Sequence, residues 1–187
     1  KKIPSYGKHW IDSKYKVKAD RFKFQPQHSK NAYIELQCES HIEQNSTFVT
    51  EKASKAFGDV HILFSNAGHG GGQNFPDTTV EEWNTVINDN LNGTFYVSKA
   101  VWPHMVKSGG GAIVNMSSLA AVRGFSPKMM DEFGVTAPSY YAAKAGIEAL
   151  TRQMAGVGGK HNIRVNCIRP GQILTPGATR GTINDPD

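Results

Sequence analysis

Ala112-Ile113-Val114-Asn115-Met116-Ser117-Ser118 is the stretch on which the reading of the chain turns: a short, largely apolar strand that opens onto two hydroxyls. Upstream, Val60-His61-Ile62-Leu63-Phe64 reads as a buried strand running into Ser65-Asn66-Ala67-Gly68. Downstream, Ile163-Arg164-Val165-Asn166-Cys167-Ile168 reads as another, stopped by Pro170-Gly171. Helical segments fill the gaps. One runs from Val80 to Met105, with Thr79 as its N-cap and Glu81 and Glu82 suited to the positive end of a helix. A second runs from Ser139 to Ala155, and a third, earlier one from Ile42 to Phe57 ends at Gly58 as its C-cap. Tyr33-Ile34-Glu35-Leu36-Gln37-Cys38 is a candidate strand before it. Strands alternating with helices predict an α/β fold with a doubly wound parallel sheet. Ligands of such sheets bind outside the carboxyl ends of the strands, where Asn66, Ser118 and Gly171 fall.

The 187 residues, 39% hydrophobic, suit one domain spanning 1–187. Its core is expected over 31–187, preceded by a basic segment, 1–30. The formal charge of +5 is concentrated there: residues 1–30 hold nine Lys/Arg against Asp12 and Asp20, and the remainder twelve against fourteen acids. Lysines interspersed with Tyr, Trp and Phe make a solvated face more often than a nucleic-acid surface, so no nucleic-acid partner is expected. No apolar run approaches the roughly 18 residues of a membrane span, and the lysine-rich start lacks the apolar stretch of a secretory signal. Two cysteines, Cys38 and Cys167, support neither a disulfide framework nor a four-ligand zinc site. The expectation is a cytoplasmic protein with no membrane and no metal partner.

Tyr140-Tyr141-Ala142-Ala143-Lys144 puts Tyr140 and Lys144 four residues apart, one turn apart on one helix face. A phenol is mostly protonated at neutral pH, and a neighbouring ammonium stabilises the phenolate, which suits Tyr140 to acid/base work. Alone, the spacing equally describes an ordinary amphipathic surface. Ser118, at a strand end, offers a hydroxyl for a substrate oxygen, although such a serine alone is more often a turn former. Asn90-Leu91-Asn92-Gly93 lies within the long helical stretch, where two Asn and a Gly are costly. Local conflicts of this kind tend to mark sites.

These stretches, in this order, resemble the short-chain dehydrogenase/reductase family over roughly residues 58–176. Ser65-Asn66-Ala67-Gly68 resembles its Asn-Asn-Ala-Gly turn, Asn90 its catalytic Asn, Ser118 its Ser, and Tyr140 with Lys144 its Tyr-x-x-x-Lys pair. Arg164-Val165-Asn166-Cys167-Ile168-Arg169-Pro170-Gly171-Gln172-Ile173-Leu174-Thr175 resembles its Pro-Gly stretch. The resemblance implies a Rossmann-like fold, NAD or NADP as cofactor, and interconversion of a secondary alcohol and a ketone. In it Tyr140 exchanges a proton with the substrate oxygen, Lys144 assists it and contacts the nicotinamide ribose, Ser118 orients the oxygen, and Asn90 supports a proton path through water. Asn66, Ala67 and Gly68 line the adenosine side, and Pro170, Gly171, Ile173 and Thr175 the nicotinamide side. A homodimer or homotetramer paired through the helices around 80–105 and 139–155 is also implied.

The chain departs from the family before Gly58. The family's Thr-Gly-x-x-x-Gly-x-Gly turn, whose glycines bring backbone N–H groups to the pyrophosphate, has no counterpart, because Gly7 is the only earlier glycine. Tyr15-Lys16-Val17-Lys18-Ala19-Asp20-Arg21 is the candidate second strand with Asp20 at the adenosine ribose. Glu39 stands where the family places an acid near the adenine. Between Ser118 and Tyr140 lie 21 residues, an unusually long gap containing Phe125, Met129, Met130 and Phe133. Pro127 and Pro138 argue against a continuous helix there, and residues 123–138 are expected either to form a flap over the substrate or to fill a local core or cover an oligomer interface. A sheet incomplete at its edges is the structural expectation. The competing reading is a non-catalytic remnant of the family that acts as a binding protein, favoured by the missing turn and opposed by the intact Asn, Ser, Tyr and Lys.

Overall fold

The computed structural model describes residues 11–12, 17–18, 43–128, 130, 137–171 and 173. Three parallel strands, β3 (Ile62–Ser65), β4 (Gly111–Met116) and β5 (Ile163–Ile168), form a sheet in the order β3-β4-β5. Its register sets Ser65 opposite Asn115 and Met116 opposite Ile168. Parallel neighbours require crossover connections, which here are helical. Helix α1 (Glu43–Phe57) precedes β3. Helix α2 (Val80–Ile87), a π-helical turn at Asn88–Asn92 and α3 (Gly93–Lys107) join β3 to β4, and α4 (Pro138–Gly158) joins β4 to β5. This is the expected Rossmann-like α/β arrangement.

The elements begin where local chemistry allows. Thr79 caps α2 through a reciprocal box: its hydroxyl accepts from the Glu82 N–H, and the Glu82 carboxylate accepts from the Thr79 N–H. Pro138 opens α4, where its missing N–H costs nothing. Gly58 closes α1 with φ +90°, and its N–H donates to the Ser54 carbonyl. Strand β3 begins two residues later than its apolar run suggests. Helical backbone occurs at Pro127, Lys128 and Met130, after non-helical backbone at 123–126: Pro127 starts a short turn, as its missing N–H allows.

Alternation along the strands sorts side chains between two faces. Ile113 of β4 and Ile163 and Val165 of β5 join Val101 and Met105 of α3 and Met154 of α4 in one buried cluster. Helices α3 and α4 therefore share one face of the sheet, and α1 packs against α3. On the other parity, Ile62, Phe64 and Ile168 are exposed.

Two short strands, β1 (Ile11–Asp12) and β2 (Val17–Lys18), pair antiparallel in a sheet of their own. Among the described residues Val17–Lys18 thus does not join the parallel sheet. Lysines alternating with apolar residues suit a strand with one solvated side, not one buried on both faces. The candidate strand at 33–38, and Asp20, Glu39 and Thr175, lie outside the described residues. No described helix is long and apolar enough to cross a membrane.

Candidate active site

Past the carboxyl end of β3 the chain turns at Asn66-Ala67-Gly68, all exposed. Gly68 has φ +153°, and a Cβ there would collide with Asn90 Oδ1 and come within 3.6 Å of Lys144 Nζ. Glycine is therefore required for the close approach of three elements: the β3 turn, the π-helical turn and α4.

The conflict anticipated at Asn90-Leu91-Asn92-Gly93 falls on the π-helical turn, Asn88–Asn92, and the residue that follows it. The Gly93 N–H reaches back to the Asn88 carbonyl, the five-residue spacing of a π-helix, and Asn90 is fully buried. Its Nδ2 donates to the His69 carbonyl at 2.8 Å and the Val86 carbonyl at 3.0 Å. Its own carbonyl accepts from Thr94 Oγ1 at 2.8 Å. Oδ1 is left buried with no hydrogen-bond partner among the described residues, an acceptor aimed at the space beside Gly68 and Lys144.

Helix α4 lays Lys144, Glu148 and Thr151, spaced by four and three residues, along the end of β4. Lys144 Nζ donates to the Met116 carbonyl at 2.9 Å, Ser117 Oγ to Glu148 Oε1 at 2.7 Å, and Asn115 Nδ2 to Thr151 Oγ1 at 2.9 Å. Burial pulls the Lys144 amine down to about 8, and its Nζ lies 5.4 Å from the centroid of the Tyr140 ring. Ser118 heads a 3₁₀ turn (Leu119–Ala121) packed on α4; its Oγ accepts from the Ala120 N–H at 3.2 Å, leaving the hydroxyl proton free to donate elsewhere. Pro170 lies alongside, its carbonyl accepting from the Leu119 N–H at 2.9 Å. Gly171 and Ile173 are exposed. Residues anticipated from five separate stretches thus border the carboxyl ends of three neighbouring strands.

The short chain dehydrogenase family matches residues 13–184. The chain belongs to the short-chain dehydrogenase family. A probable galactose dehydrogenase of Rhizobium meliloti is 41% identical over 125 residues, 67% of this chain and 45% of that protein. A 2-dehydro-3-deoxy-D-gluconate 5-dehydrogenase of Escherichia coli is 35% identical, over 67% of this chain and 46% of that protein. Among solved structures, a 7α-hydroxysteroid dehydrogenase complexed with NADH and 7-oxo glycochenodeoxycholic acid superposes with a TM-score of 0.68 at 34% identity, covering 79% of this chain and 54% of that one. The chain spans about half the length of the relatives it matches.

In this member of the family, four polar side chains near the site escape a reading of the sequence. His69 Nε2 lies 2.6 Å from Asp89 Oδ2, tying the β3 turn to the residue before Asn90. Glu148 is buried and held by Arg169, whose Nε and Nη2 donate at 2.7 and 2.6 Å to its two oxygens. The Arg169 guanidinium, with help from Ser117, keeps the Glu148 carboxyl below its ordinary range despite burial. An acid one turn after Lys144 was the available signal, but its partners lie 21 and 31 residues away and meet it only through the sheet.

Proposed function

We propose that the chain carries the catalytic part of an NAD(P)-dependent oxidoreductase that interconverts a secondary alcohol and a ketone. The observation that carries this reading is the placement of Lys144: buried, pinned to the end of β4, and within 5.4 Å of the Tyr140 ring. At neutral pH its amine is mostly charged, which sets a cation beside the Tyr140 ring. Tyr140 then gives a proton to the substrate oxygen, or takes one from it. Ser118 directs its free O–H to that oxygen. Asn90 Oδ1 receives a hydrogen bond from a water that links the site to solvent through Lys144.

The site fits a nicotinamide dinucleotide at the strand ends, since the buried Asn90 oxygen is left without a partner among the described residues and the Asn66-Ala67-Gly68 turn is exposed there. When bound, the cofactor supplies or accepts the hydride. In this reading Asn66, Ala67 and Gly68 line its adenosine side, with Asp20 and Glu39 toward the ribose and adenine. Lys144, Pro170, Gly171, Ile173 and Thr175 take the nicotinamide side. Exposed Phe95 and Val106 on α3 and Val157 on α4 support pairing of copies through these helices.

Residues 1–57 carry no phosphate-cradling glycine turn, so binding by this chain is expected to be weak. A few missing charge-assisted hydrogen bonds at about 1.5–3 kcal/mol each lower affinity by two or more orders of magnitude. The lysines of residues 1–18 replace them only with diffuse charge. Calorimetric titration of NAD(P) into the chain at low and moderate salt is expected to give millimolar or weaker affinity that falls steeply with salt. Micromolar affinity indifferent to salt would contradict the proposed loss, and no binding of either cofactor would contradict the functional reading itself.

A further inference from the structure

Glu148 is a buried carboxylate that proton transfer at Tyr140 does not use. Its side chain is 8% exposed, whereas that of Arg169 is 44% exposed, so the arginine reaches in from the surface to neutralise it. The strand pattern explains why both partners arrive there. Ser117 continues the parity of Ile113 and Asn115 on the helix-facing side of β4, and Arg169 continues that of Ile163 and Val165 on β5. Pairing also runs past the strand ends: the Ser117 N–H donates to the Ile168 carbonyl at 2.8 Å and the Leu119 N–H to the Pro170 carbonyl at 2.9 Å.

Each residue bound by Glu148 adjoins a proposed site residue. Ser117 precedes Ser118, Arg169 precedes Pro170-Gly171, and Glu148 itself lies one turn after Lys144. We infer that Glu148 is a positioning residue: by binding Ser117 and Arg169 together it fixes the proton-transfer side of the site, on β4 and α4, at a set separation from the cofactor side, after β5. A bidentate pair suits this role because two parallel hydrogen bonds fix orientation as well as distance. The inference rests on the functional reading above, but its central test does not.

The test is amide hydrogen exchange in the full chain, unaltered and as Glu148→Gln, followed residue by residue. Exchange at Ser117 and Leu119 is expected to rise about tenfold or more while Ile113 and Val165, inside the strands, stay unchanged, since local opening can occur without global unfolding. Unchanged exchange at Leu119, or an equal rise throughout the sheet, would overturn the inference. Ser117→Ala and Arg169→Lys supply milder variants should the glutamine variant fail to fold. Each is expected to raise Leu119 exchange by a smaller factor, and no rise in either would also overturn it. Saturation transfer from the chain to NADH gives a readout that a merely structural role would not move. In Glu148→Gln, transfer to the nicotinamide protons is expected to fall relative to the adenine protons, and an unchanged ratio would overturn the inference. If the unaltered chain shows transfer to neither end, the functional reading fails, while the exchange data still decide the role of Glu148.

Discussion

Gly68 and Lys144 show how single residues set the terms of the site. At Gly68 a positive φ and the adjacent Asn90 oxygen both exclude a side chain. Gly68→Ala is expected to cost about 1–3 kcal/mol of stability in urea unfolding and to displace Asn90. A variant as stable as the parent would show that the turn relaxes freely. Lys144 has the opposite sign, being itself a liability to the fold. Burial holds its amine at about 8 in the folded chain against 10.5 for a free lysine, so below pH 8 both states are charged and the burial cost is fully present. As pH rises from about 8 to 10.5 the folded chain releases the proton first, and stability rises across that window. Lys144→Met is therefore expected to be more stable than the parent by about 1–3 kcal/mol near neutral pH, with the gap closing toward pH 10. Denaturant titrations at the two ends of the window check this, and a gap that widens with pH would refute it.

At the scale of elements, the crossover from β3 to β4 is a helix interrupted where function needs it. Asn88–Asn92 forms the π-helical turn, and the unfavourable helix formers there are legible in the sequence because propensity and amphipathic pattern disagree. What the turn does with Asn90 is not legible, because its partners, His69 and Val86, are a loop carbonyl and a helical carbonyl. Thr79 is legible as the N-cap of α2, and the structure adds its reciprocal bond with Glu82: Thr79→Ala removes this capping box and is expected to cost about 1 kcal/mol in thermal or urea unfolding. No change would mean that α2 is held by packing alone. The segment expected to form a flap meets α4 where Phe125 stacks edge-on against Tyr141, ring centroids 6.1 Å apart. It also meets the loop between β3 and α2, where Asn74 Nδ2 donates to Met130 Sδ at 3.6 Å. Shape and breaker residues announced a distinct segment, but not the helical turn that Pro127 begins.

Across the whole molecule, the three central strands and their crossovers are legible because each strand is short, apolar and ended by small or polar residues that need an exposed turn. The first forty residues are not: lysines alternate with apolar residues, glycine punctuation is limited to Gly7, and the one pairing described there, β1 with β2, is local. The Glu148 cluster was invisible for a different reason, since its three members are assembled by sheet register and not by spacing along the chain. The gathering of Asn90, Tyr140 and Lys144 beside one strand end is the part that makes this chain an oxidoreductase candidate and not only a family member by sequence. The most direct test is NAD(P)-dependent turnover of a panel of secondary alcohols and ketones by the chain and by its Tyr140→Phe and Tyr141→Phe variants. The account predicts a loss of about 100-fold or more in Tyr140→Phe, with its melting temperature retained, and only a small change in Tyr141→Phe. A Tyr140→Phe variant that keeps most of the parent rate would contradict it.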